Sequence, residues 1–175
     1  LGPSIGMLSR YRQDRARIVG NLIDKHSTVV DLGAGDGAIL EYLVKNKSVV
    51  PYAVDCSAQM VERLKNLSFE VVECDLNEGD KIRNLPDADY YLALEVLEHL
   101  ALPEQLLKAI IPKAKKGVII SIPNTGYFVH RLRLLFGRFP LQWFVYPGEH
   151  LRFWTLGDLK WWLKALGFRN FEVYC

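Results

Sequence analysis

The chain has 175 residues, half of them hydrophobic, and 22 Lys and Arg against 20 Asp and Glu, a formal net charge of +2. That length fits one domain with a substantial core, and the mixed, moderate charge excludes a disordered segment. The small basic surplus gives no ground for nucleic-acid binding, no apolar run reaches bilayer-spanning length, and the first residues do not read as a secretory leader.

Residues 7–25 are polar with apolar positions at Ile18, Val19, Leu22 and Ile23, which predicts an amphipathic helix. A strand is expected over 28–33 and a helix over 37–46. The next strand covers 52–54 and ends at Asp55. Ser57 is placed to cap the helix that carries Met60, Val61 and Leu64. A third strand is expected over 69–73, then a polar loop over 77–88. The fourth strand covers 90–94. Pro103 suits the first turn of a helix over 103–111. The fifth strand covers 118–122, where Pro123 ends it. Residues 124–154 read as irregular and aromatic. Thr155 and Asp158 form a capping-box pattern for a helix to about 166, stopped by Gly167. A sixth strand is expected over 171–174. Continuous apolar strands alternating with helices predict one α/β domain over 1–175, its mostly parallel sheet covered on both faces.

The stretch Asp31-Leu32-Gly33-Ala34-Gly35-Asp36-Gly37-Ala38 joins the first strand to a helix. Glycines there let a ligand lie against the backbone, at the carboxyl edge of the sheet. Gly33, Gly35 and Ala38 also satisfy a dinucleotide fingerprint. Asp55 serves either kind of cofactor, since both carry ribose hydroxyls. Asp31, Asp75 and Glu95 tip the balance. Acids along this rim repel a pyrophosphate and attract a cation.

The Asp31-x-Gly33-x-Gly35-x-Gly37 run, Asp55 and the Cys74-Asp75-Leu76 segment resemble the class I S-adenosylmethionine-dependent methyltransferases, over residues 25–174. The resemblance implies a Rossmann-like, doubly wound sheet. It implies that Gly33, Ala34 and Gly35 line the methionine and ribose portion of the cofactor. Asp31 would orient the loop and the ammonium group, and Asp55, with Cys56 beside it, would take the ribose hydroxyls. Asp75 and Leu76 would meet adenine, and Glu95 would face the cofactor side of the pocket. For Asp31 and Asp75 the competing expectation is the capping of local turns. That class ends on an antiparallel seventh strand. A chain closing on its sixth is expected to be shortened or to pair its edge with another chain, a homodimer being one form.

Glu95, Glu98 and His99 are spaced to share one face of a helix. With His150 they offer two carboxylates and two imidazoles, a donor set for magnesium, manganese, iron or zinc. Similar Glu-x-x-Glu-His segments occur in ubiquinone-biosynthesis O-methyltransferases. They also occur in small-RNA 2′-O-methyltransferases, where the resemblance implies a metal on four such ligands. The metal-free alternative keeps His99 as general base, with Glu98 complementing a helix terminus. His26 and His130 have no companions and read as surface residues.

Residues 127–146 are basic and aromatic and belong to the 124–154 insert. A substrate lid, a peripheral membrane contact, a partner surface and a buried cap helix are all open for it. Segments around Ser121, Arg131, Gly137 and Thr155 resemble the methionine-biosynthesis protein W group, which implies a regulatory partner of a biosynthetic acyltransferase as one alternative. The leading expectation is a cytoplasmic enzyme methylating a small molecule at oxygen. An RNA 2′-O-methyltransferase is the other alternative.

Overall fold

The computed structural model describes residues 5–139 and 150–174, with side chains from residue 12 onward. Residues 140–149, including part of the expected insert, lie outside the described residues. Helix α1 (Ile5–Leu22) leads into strand β1 (Thr28–Leu32), helix α2 (Ala38–Lys47) and strand β2 (Val50–Asp55). Helix α3 (Ala58–Asn66), strand β3 (Glu70–Glu73), a short helix α4 (Gly79–Arg83) and strand β4 (Ala88–Leu94) follow. Helix α5 (Pro103–Ile110) precedes strand β5 (Ala114–Ser121), and helices α6 (Phe128–Leu135) and α7 (Leu156–Ala165) complete the order.

Among the described residues all the strand pairings are parallel, in the order β3-β2-β1-β4-β5. The order reverses at β1, so the crevice beyond its carboxyl end lies where doubly wound sheets bind ligands. Strand alternation divides the core. Val30, Leu32, Val54, Tyr91 and Ala93 face one side, against Leu97, Leu106, Leu107 and Ile110. Val29, Ala53, Leu92 and Leu94 face the other, against Val19, Ile23, Leu40 and Leu43. Burial on both faces is why these strands read as unbroken apolar runs. At the opposite end of the sheet, Asp89 accepts from Thr28 N at 2.9 Å and from Thr28 Oγ1 at 3.1 Å, locking β1 to β4.

Four expectations need correction. Residues 171–174 form no strand: only Phe171 packs inward, while Val173 and Tyr174 are exposed, so no apolar face holds the segment on β5. The supposed loop 77–88 contains α4, anchored by its one buried apolar side chain, Ile82. The supposedly irregular 124–154 contains α6. Ser57 stands at the N-cap of α3 but makes no side-chain cap; its amide is instead held by Asp55 Oδ1 at 2.9 Å. The Thr155–Asp158 capping box forms as expected, and Gly167 adopts φ 91 past the end of α7.

Gly37 has φ 82, and a Cβ there would stand 2.9 Å from Leu64 Cδ2 and 3.0 Å from Leu67 Cδ1. Conformation and space both demand glycine. Gly37→Ala is expected to cost about 1–3 kcal/mol in urea denaturation. Gly79→Ala, with φ in the ordinary range and open space around it, is expected to be near neutral. Equal midpoints for the two variants would contradict this packing.

Candidate functional site

The turn after β1 is held by β2. Gly33 N and Ala34 N both donate to Val54 O, at 2.8 and 3.0 Å. Gly35 N donates to Asp55 Oδ2 at 2.8 Å. With Ser57 N on Oδ1, each oxygen of the Asp55 carboxylate takes one backbone donor and keeps a second acceptor position. Gly35 has φ 55, and a Cβ built on it meets nothing within 4 Å. The loop backbone therefore borders open space, which suits close approach by a ligand.

Asp31 shares strand parity with Val29, so its side chain lies on the α1 side of the sheet, 3% exposed. Burial first, and then the Asp55 carboxylate, push its pKa from 3.8 up to about 7; Arg15 opposes the shift. Arg15, on α1, also stands 3.6 Å from Glu95, while Arg12 pairs with Asp36 at 2.6 Å. Helix α1 thus delivers two cations to the acidic rim. Nothing in the sequence pattern marked them, because they act across a tertiary contact.

Asp75 Oδ1 accepts from Asn77 N at 2.9 Å and from Asn77 Nδ2 at 3.0 Å, so it does cap its own turn. It remains exposed beyond β3, as Cys56 does beyond β2, while Leu76 packs half-buried against the core. Cys56 and Cys74 are free thiols. Burial pushes the Cys74 thiol up.

Residues 95–99 do not form one helix. Glu95 adopts φ 56 after β4, and only Leu97–His99 make a 3-10 turn. Glu95 Oε1 accepts from Ser121 Oγ at 2.8 Å, and its amide donates to Ser121 O at 3.0 Å. Ser121, whose contact with Glu95 no sequence pattern showed, thereby turns Glu95 toward β5 and Arg15. Glu98, His99 and His150 do come together: their ligand atoms all lie within 4.8 Å of one another. Leu151 N and Arg152 N both donate to Glu98 O, at 2.7 and 3.1 Å, which draws the segment bearing His150 onto the turn. The two imidazoles meet edge to face at 4.8 Å. Of the four expected ligands, three are therefore gathered and Glu95 is engaged elsewhere.

Glu98 is 1% exposed, and neither of its carboxylate oxygens has a hydrogen-bond partner among the described residues. Burial pushes its pKa from 4.5 up to about 8, the Glu95 carboxylate adds to the rise, and Arg15 opposes it. A buried carboxyl without donors is costly unless it keeps a proton or acquires a cation.

The chain matches the model of a methyltransferase domain family over residues 6–173. A methyltransferase from Archaeoglobus fulgidus, described as SAM dependent, superposes with TM-score 0.68 at 23% identity, over 92% of this chain and 69% of its own. The methyltransferase domain of bacterial CtHen1-CN gives TM-score 0.64 at 24% identity, over 89% and 83%. A complex of a Haloferax volcanii methyltransferase activator, Trm112, with its putative methyltransferase gives 0.61 at 17%, over 83% and 62%. The chain thus spans only about three-fifths of that last protein, and these likenesses establish the fold. No curated protein is detectably similar.

Asp31 carries a pH signature. The folded chain retains its proton up to about pH 7, whereas the unfolded chain releases it near 3.8. Between these values the folded state binds more protons, so this residue's contribution to stability falls as pH rises. Asp31→Asn abolishes the penalty. The variant is expected to gain about 1–3 kcal/mol over the wild type at pH 8 and much less at pH 5. An equal gain at both pH values in urea denaturation would contradict a raised Asp31.

Proposed function

Because the chain belongs to this methyltransferase domain family, we propose that it transfers a methyl group from S-adenosylmethionine to an oxygen of a small-molecule acceptor. The observation carrying this reading is the Asp55 carboxylate held by the amides of Gly35 and Ser57. It leaves acceptor positions suited to a ribose diol beside an open glycine turn. The donor, when bound, supplies an electrophilic methyl group on a positively charged sulfur. Asp55 and Glu95, joined by Asp31 once it loses its proton, make the surrounding field negative, which favours that cation and its ammonium group over a pyrophosphate. Asp31 takes the ammonium, Asp55 the ribose, and Asp75 with Leu76 the adenine. His99, exposed beside the buried Glu98, accepts the acceptor's proton at an imidazole nitrogen. Holding the two reactants in line supplies much of the rate.

Calorimetry with S-adenosylhomocysteine tests the cofactor site. Asp55→Ala is expected to weaken binding at least about 100-fold, since it removes both the ribose acceptor and the anchor of the turn. Because the ligand's ammonium stabilises the ionised form of Asp31, binding near pH 7 should release about half a proton. Buffers of different ionisation enthalpy read that number. Undiminished binding by Asp55→Ala, or no proton release, contradicts the assignment.

A second reading is favoured by one observation, the Glu98 carboxyl beside His99 and His150 with no hydrogen-bond partner among the described residues. One carboxylate and two imidazoles are the donors of a three-ligand site with open positions, as manganese, iron or zinc accept. Such an ion would supply Lewis acidity for lowering an acceptor hydroxyl's pKa. Metal analysis after equilibration with manganese or zinc should find about one equivalent in the wild type and little in His150→Ala. No uptake by the wild type removes the metal and leaves the imidazole reading standing.

A further inference from the structure

Helix α6 leaves its apolar side chains exposed. A helix packed on a soluble domain buries its apolar stripe, yet none of the residues of α6 is buried. At helical spacing, Phe128, Val129, Leu132 and Leu135 fall on one arc, and they are 61%, 40%, 49% and 76% exposed. Arg131 and Arg133 flank that arc, one on each side, and Phe136, Arg138 and Phe139 extend it past the helix end. Phe136 is 76% and Phe139 54% exposed. Exposed apolar side chains scattered singly need no explanation, but a contiguous group of this size does.

The charge pattern chooses the occupant. The sequence carries no Asp or Glu between Asn124 and Glu149. An apolar arc edged by arginines, without acids, matches an anionic lipid surface. The rings and leucines enter the acyl boundary while the guanidinium groups stay at headgroup level. A protein groove that takes an apolar helix would need carboxylates of its own to match these arginines. Among the described residues no helix is long and apolar enough to cross a membrane, so the contact is peripheral. Its position also matters. The segment leaves β5 near Ser121, the partner of Glu95, and Asn124 pairs with Trp154 just beyond the His150 segment. The lipid-facing helix therefore adjoins the rim that carries the candidate site.

We propose that α6 and residues 136–139 seat this protein on the surface of an anionic bilayer. The proposal stands apart from the methyl-transfer reading, and its test uses no turnover. The whole chain is sedimented with phosphatidylcholine vesicles, with and without about one-third phosphatidylserine. Binding is expected on the anionic vesicles only, and raised salt should weaken it. Arg131→Gln with Arg138→Gln should reduce partitioning about 30-fold, about fivefold for each charge. Phe128→Ser with Leu132→Ser and Leu135→Ser should reduce it at least about tenfold. These side chains are exposed, so unchanged thermal midpoints are expected and confirm that the variants fold. The proposal is overturned if the wild type stays in the supernatant with anionic vesicles, or if the triple variant binds as well as the wild type. A dimer in sedimentation equilibrium that the triple variant dissolves would assign the patch to a second copy of the chain and would equally overturn it.

Discussion

The amides of Gly33, Ala34 and Gly35 all turn back onto the end of β2, and that constraint organises the molecule's working edge. Two of them share the carbonyl of Val54, and the third meets the carboxylate of Asp55. An acid that is needed for the turn is thereby also presented to whatever lies beyond it. The register that pairs Leu32 with Val54 sets this geometry, so sheet and site are one construction. The same strand carries Asp31 onto the α1 face, where burial and Asp55 hold it near neutrality in its titration.

Around this clamp the chain buries carboxyl groups it cannot fully satisfy. Arg15 compensates Glu95 and eases Asp31, but Glu98 has no donor among the described residues. Stability alone would select apolar side chains at such positions. Buried acids nevertheless stand at the carboxyl end of β1 and in the turn after β4. The family places a methyltransferase domain here, and under the proposed reading the ionised acids of the rim favour a cationic donor.

The strands and the glycine turn were legible because continuous apolar runs and a glycine pattern have few other meanings. What escaped depended on tertiary contacts. Arg15 and Ser121 act on Glu95 from α1 and β5, and neither carries a local signal. Helix α4 has a single buried apolar side chain, and α6 has no capping side chain at Tyr127 to announce its start. Residues 171–174 alternate like a strand, yet only Phe171 finds the core. Spacing groups Glu95 with Glu98 and His99 only if all three share one helix. Glu95 is left-handed, and only the last two join His150.

A direct competition between two adenosine ligands measures the central claim, that the acidic rim selects positive charge. Equilibrium binding should show the purified chain taking S-adenosylmethionine in the micromolar range and NAD at least about 100-fold more weakly. Preference for the pyrophosphate ligand, or equal affinity for both, would contradict the account.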